Sequence, residues 1–352
     1  MWTVYLRTCI ARLKNSSVYK QFINNIFIIA FFVLLLLLTL INWLTIIPLL
    51  LYCYYLCKRN KCLFISAVIL SALVLTNYIF LETTLTSDAK GNFSGLVVDL
   101  KKSEKYQKIT IRSGMYKNII YDYDFLDIKV GEIIQGDGQI LKSDPARVEG
   151  AFDYRHYLKN HKITKVVRAN TLRITGTRFT LNKIKADFLV YLDTYFDGQT
   201  LTFLQALLIG EDEGFTDEFK EAVTDNGILH LFAVSGLHIM LFVGIITKIL
   251  QFFHLKENII NIIISIFLFV YLILTGFTAS VLRAALMYEL GLVNKHLKLG
   301  FSSADIISLC FLILVIINPY YINDLGFILS FIASLVIIFT SPHINKRSHF
   351  TQ

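Results

Sequence analysis

Long charge-free apolar runs flank one polar interval, and this alternation organises the chain. Residues 21–57 carry no charged side chain. A single helix of that length would exceed about 50 Å at a rise of ~1.5 Å per residue, too long for a hydrocarbon layer of about 30 Å. Two short spans with a turn near Asn42 to Pro48 are therefore predicted. A basic knot follows at Lys58-Arg59-Asn60-Lys61, and then a third span over about 62–82. Five further apolar segments are expected at about 229–252, 258–276, 278–293, 303–319 and 323–340. The segment 278–293 is short and holds Arg283, so a broken or re-entrant helix is the alternative to a full span there.

Between these groups the period changes. Over 84–182 the runs FSGLVVDL, QKITIRSG, KNIIYDY, GEIIQGDGQIL and TKVVRANTLRIT alternate and are rich in Val, Ile, Thr and Tyr. Gly, Asn, Asp and Lys separate them, which predicts about five short strands. A small barrel of the OB type accommodates that number, with a sandwich fragment as the alternative. Residues 181–196 read as an amphipathic helix lying on a membrane surface. The acidic group Glu211, Asp212, Glu213, Asp217, Glu218 and Glu221 reads as a solvated loop and a charged first helical turn capped by Thr216, rather than a metal site.

Composition agrees with a membrane class: the 352 residues are 55% hydrophobic and 17% charged. The net charge of +8 gains meaning from its location. Basic residues before the first span and at 58–61 predict a cytoplasmic N-terminus and an extracytoplasmic polar domain. Lys248 to Lys256, Lys295 with Lys298, and Lys346 with Arg347 then fall on the inner side. No cleavable signal is predicted, because the first apolar run is too long for one. Cys9, Cys53, Cys57, Cys62 and Cys310 lie in or beside apolar segments and read as helix-packing thiols.

Two sets of residues carry candidate chemistry. Arg155, Lys159, Lys162, Lys165, Arg168, Arg173 and Arg178 occur with no acid among them. Interleaved with Tyr154, His156, Tyr157 and Phe179, they suit a phosphate backbone with stacking bases, or else a solvated basic face. The second set lies in apolar surroundings: His230, Ser235, Gly236, His238, Arg283, Asp324 and Ser330. On a helix running through 229–252, positions 231, 235 and 238 would share a face. Four readings stand: a serine nucleophile whose base comes from another helix, a zinc site, a hydrogen-bonded brace between helices, and a polar lining for a solute path. G-x-S-x-G fails at Ala233, and only two histidines are close, so the first two are disfavoured.

The block H-L-x-A-V-S-G-L-H at 230–238 resembles the ComEC family of DNA-uptake membrane proteins. So do ALLIG at 206–210, LTG with S-x-x-R-A at Leu274–Gly276 and Ser280–Ala284, and NP with D-x-G-F-x-L-S-F at Asn318, Pro319 and Asp324–Phe331. GAFDYRHYLKNHKI at 150–163 is similar to the end of that family's outer OB-type domain. The resemblance implies carriage of one DNA strand across the bacterial cytoplasmic membrane during natural transformation. It also implies DNA, lipid and other DNA-uptake proteins as partners, with a further copy or a separate C-terminal part among them. Larger members add a metallo-β-lactamase-like domain. The cluster H-x-H-x-D-H does not occur here, so no nuclease activity is carried over. A short natural variant, one piece of a split gene and a truncated product are the three explanations.

The expectation is therefore an α-helical multi-pass membrane protein with an inserted OB-like extracytoplasmic domain. Its parts are 1–83 (about three spans), 84–182 (barrel), 183–228 (interfacial helices), 229–342 (competence-type bundle) and a cytoplasmic tail at 343–352. It is expected to be a non-enzymatic channel component without cofactor or metal. An intramembrane hydrolase using Ser235, a small-solute transporter and a non-transporting fragment are the rivals.

Overall fold

The charge-free N-terminal run folds as two helices, as its length requires. In the computed structural model, which describes residues 21–85, 91–103, 105–141, 153–211, 214–227, 232 and 234–348, α1 (Ile26–Ile41) and α2 (Ile46–Arg59) are joined by one 3-10 turn at Trp43–Thr45. Asn42 starts that turn by accepting the Leu44 amide at 3.0 Å. Pro48 lies in the first turn of α2, where a missing N–H costs nothing. Helix α3 (Lys61–Leu85) follows.

The polar interval closes on itself. Strands β1 (Phe93–Lys102), β2 (Gln107–Ser113), β3 (Tyr116–Asp122), β4 (Glu132–Ile140) and β5 (Ile163–Thr177) form a closed barrel in the order β1-β2-β3-β5-β4. Every pairing is antiparallel except β3 with β5, which is parallel. The sandwich alternative is thereby excluded. Alternate residues point inward. Phe93, Val97, Ile109, Ile111, Ile120, Ile134 and Val167, together with Ile128 from the loop after β3, make the interior. Each is essentially sealed from solvent and contributes about 2 kcal/mol relative to exposure. Two glycines allow the closure. A Cβ on Gly136 would strike the Thr171 carbonyl and the Phe93 ring, and one on Gly138 would strike the Arg168 carbonyl. Between β4 and β5, helix α4 (Tyr154–Asn160) covers the outside of the sheet, with Leu158 against Ile119, Ile163 and Val166.

After the barrel come α5 (Leu181–Tyr195), α6 (Gly198–Ile209), α7 (Asp217–Asp225), α8 (Gly236–Phe252), α9 (Glu257–Leu274), α10 (Ala279–Leu297), α11 (Ser303–Ile317) and α12 (Leu325–Ser348). Thr216 caps α7 as anticipated, accepting the Phe219 amide at 3.3 Å. By length and composition α3 and α9 are long and apolar enough to cross a membrane; α1, α6, α8, α11 and the apolar part of α12 are shorter apolar helices. Two expectations need correction. Helix α10 runs unbroken through Arg283, because the bend falls earlier, at Gly276 (φ 67°) and Phe277 (φ 60°). Helix α8 begins at Gly236 rather than near residue 229.

The chain divides into two compact units, Leu81–Ala285 and Met1–Phe80 with Leu286–Gln352. In the second, Asp305 organises helix ends. Its carboxylate accepts from the Asn24 and Ile26 amides at 2.9 and 3.0 Å and from the Ser302 hydroxyl at 2.8 Å. The start of α1 is thus held to the start of α11. Among the described residues Cys53, Cys57 and Cys62 are free thiols outside the buried core, and Cys310 is buried. Cys9 lies outside the described residues.

Candidate functional site

Helix α4 and strand β5 carry the basic series. Asp153 starts α4 by accepting the Arg155 and His156 amides at 2.8 and 3.3 Å. Although desolvation opposes it, these donors hold the Asp153 carboxyl below the ordinary aspartate value. Lys162 has φ 55° in the turn before β5, and burial pulls its ammonium below the usual lysine value. Arg168 and Arg173 on β5 and Arg178 just after it are exposed, whereas Lys165 is partly covered and reaches the Asn92 carbonyl at 3.5 Å. Arg155 is exposed. Lys159 is paired to Glu82 at 2.6 Å. The strip is therefore less uniform than its sequence implies, with its most open charges on β5.

The S-G-L-H block makes a helix start. Ser235 is the N-cap of α8, with φ −118° and ψ 168°. His238, three residues on, turns back: its Nδ1 accepts the Ser235 amide at 3.2 Å and lies 3.0 Å from the Ser235 hydroxyl. An Nδ1 that accepts an amide proton carries none itself, so the hydroxyl donates to it as well. This is a capping box with histidine in the place usually taken by Glu or Gln. The shared helix face expected for 231, 235 and 238 is overturned, because Ser235 precedes the helix. His230 lies outside the described residues.

Around this cap three family-like blocks meet. The Ser280 hydroxyl donates to the Val234 carbonyl at 2.8 Å. Gly236 faces Ala284, whose Cβ would lie 3.9 Å from a Cβ added at 236. Gly210, left-handed at φ 82° at the end of α6, packs so closely on Val234 that an added Cβ would come within 3.1 Å. The end of ALLIG, residues 234–236 and the S-x-x-R-A helix thus form one corner. Arg283 is buried on α10 in the same unit. Asp324 and Ser330 belong to the other unit; Asp324 starts α12 by accepting the Phe327 amide at 3.2 Å, and Ser330 is half-buried.

Glu211 departs from the solvated loop expected of it. It takes ion pairs from Lys101 of β1, at 2.9 Å, and from Lys185 of α5. Burial pushes its carboxyl up, but Lys185 and Lys101 outweigh burial and hold it below the ordinary glutamate value. Glu211 immediately follows the Gly210 that packs on Val234, so the trio ties the barrel to the corner. Asp212 and Glu213 lie outside the described residues. No group of three or more His, Cys, Asp or Glu suited to a metal ion occurs among the described residues. Sequence reasoning missed Lys101 and Lys185, whose partner is remote along the chain.

Comparison with known proteins gives this corner a context. Residues 207–352 match the family model described as Competence protein. The chain is 31% identical over 226 residues to ComE operon protein 3 of Bacillus subtilis, spanning 61% of this chain and 28% of that protein. It is 29% identical over 161 residues to an uncharacterized protein, MG316, of Mycoplasma genitalium, spanning 46% of this chain and 41% of that one. A homolog of MG316 in Mycoplasma pneumoniae is 28% identical over 188 residues, spanning 52% and 44%. The chain thus covers less than half the length of these relatives. The corner built from the S-G-L-H, ALLIG and S-x-x-R-A blocks thus lies in and beside the part of the chain that is similar to competence proteins.

Proposed function

We propose that the chain is a multi-pass membrane component of DNA uptake whose OB-type barrel engages incoming DNA outside the cell and whose helices help carry one strand inward. The observation that carries this reading is a closed barrel with open arginines on β5, in one unit with the competence-type corner. The strand order with a parallel β3–β5 pair supports the OB assignment. The capped start of α8 and its contact with α10 support a bracing role for Ser235, Gly236 and His238, and the buried Arg283 supports the same for that helix. The reading includes no enzymatic step. Two measurements test it. Binding of a labelled oligonucleotide to the chain in detergent should weaken steeply with salt, and less steeply when Arg168, Arg173 and Arg178 are replaced by alanine. A strain whose only copy is this chain should accumulate labelled DNA in a nuclease-protected pool. Salt-independent binding together with absence of uptake sinks the proposal.

One observation favours a second reading. The 3.0 Å approach of Ser235 Oγ to an unprotonated His238 Nδ1 is the geometry of a nucleophile with its base, so the base need not come from another helix. A serine-reactive phosphonate that labels the chain, but neither Ser235→Ala nor His238→Ala, would establish hydrolase chemistry. Failure to label leaves the Ser-His pair as a cap.

A further inference from the structure

The hairpin of α2 and α3 ends in a turn whose charges are left open. Lys58 and Arg59 close α2, Asn60 makes the turn and Lys61 opens α3. All three cations are exposed. No Asp or Glu precedes Glu82 in the sequence. In the unit that holds this turn the acids are Glu289, Asp305 and Asp324. Asp305 is spent on the Asn24 and Ile26 amides, and Asp324 lies beyond the far end of α11. Among the described residues no carboxylate pairs with Lys58, Arg59 or Lys61.

The turn is organised from within. The Asn60 side chain accepts the Cys62 and Leu63 amides at 2.9 and 3.4 Å, which caps the start of α3. Lys58 Nζ lies over the Tyr54 ring, 4.8 Å from its centre. The Arg59 guanidinium lies 5.7 Å from the centre of the Tyr55 ring and donates to its hydroxyl at 2.5 Å. Tyr55 leans on Tyr52 at 5.8 Å, and the Tyr52 hydroxyl donates to the Ile28 carbonyl of α1 at 3.1 Å. Arg59 is thus pinned through two rings to the first turns of α1. Unpaired cations held side by side repel one another and draw an anion. The surroundings decide which anion. Along α2, exposed Leu50 and Leu51 give way to Tyr54 and Tyr55, 62% and 47% exposed, and then to Lys58 and Arg59. Along α3, exposed Ile65, Val68 and Ile69 follow Lys61. Apolar surface, aromatic rings and cations in that order match the layers of a bilayer edge: hydrocarbon, interface and headgroup phosphate. Free phosphate or a nucleic-acid strand offers the charge but leaves the apolar arms without a partner.

We propose that the turn between α2 and α3 is a docking site for anionic phospholipid, whose headgroup phosphates meet Lys58, Arg59 and Lys61 while Tyr54 and Tyr55 lie at the level of the interface. The inference rests on the membrane-spanning reading and names the lipid charge that this end of the hairpin takes. The test releases the full chain from mixed micelles holding equal amounts of phosphatidylglycerol and phosphatidylcholine, and counts retained lipid by native mass spectrometry. Each cation near an anionic headgroup is worth about fivefold, so the native chain should retain phosphatidylglycerol over phosphatidylcholine by about tenfold or more. Replacing Lys58, Arg59 and Lys61 together by glutamine should abolish that preference. Replacing Lys102, Lys105 and Lys129 of the barrel by glutamine removes the same charge and should leave the preference intact. Lys58→Arg with Lys61→Arg should also keep it, because charge rather than side-chain shape is what the phosphates meet. An equal loss in the barrel variant overturns the site in favour of net charge alone. Equal retention of the two lipids by the native chain overturns it while leaving the spanning helices in place. Retention of neither lipid ends the membrane reading of this hairpin as well. Displacement of phosphatidylglycerol by a short oligothymidylate assigns the turn to nucleic acid and likewise overturns the proposal.

Discussion

The barrel and the S-G-L-H corner treat polar side chains in opposite ways. On the barrel, hydrogen bonding within the sheet satisfies the backbone, and Arg168, Arg173 and Arg178 are left facing outward. At the corner, Ser235, His238 and Ser280 turn on the backbone beside them and close it off. A polar residue in an apolar run is therefore no guide to a path for solute. It is equally the means by which a helix in low-polarity surroundings satisfies its first amides, which otherwise have no partner.

Substitutions sharpen this contrast, beginning with the largest effect. Gly136→Val should prevent barrel closure, because its Cβ would meet the Thr171 carbonyl and the Phe93 ring. A loss of about 3 kcal/mol or more is expected, seen as protease sensitivity confined to the barrel. Asp305→Ala should cost about 2–4 kcal/mol in thermal unfolding, since it orphans the amides of Asn24 and Ile26 together with Ser302. Ser235→Ala should cost about 1 kcal/mol, the ordinary worth of an N-cap, with no change in DNA affinity. If DNA binding falls by far more than stability, the contrast breaks and the corner contacts the substrate. Glu211→Gln should cost about 1 kcal/mol, discounted because both lysines reach solvent. Glu211 is held below its ordinary value of 4.5, so its contribution is present above pH 4.5 and lost as pH falls through the lower folded value. A stability profile from pH 7 to pH 3 should show that loss in the native chain and not in Glu211→Gln.

The strands were legible because alternation and turn residues act locally: FSGLVVDL, QKITIRSG and KNIIYDY each emerge within a residue or two of their runs. The 3-10 break at Trp43–Thr45 followed from length alone. The start of α8 was hidden, because hydropathy runs on through Ser235 while the Ser-His cap sets the first helical residue at Gly236. The pairing of β5 beside β3 was beyond reach, since it depends on no neighbour in sequence. Glu211 looked solvated because its lysines lie 110 and 26 residues away.

That same β5 placement imposes a timetable on synthesis. The last strand pairs with both β3 and β4, and its first residue, Ile163, faces Lys117 of β3, 46 residues earlier in the chain. Until Thr177 has left the ribosome, the barrel is an open sheet with two bare edges while α1 to α3 are already made. Non-local pairing of this kind is slow and exposes strand edges to other chains. The barrel is therefore the part of the molecule whose newborn form most needs protection from its neighbours.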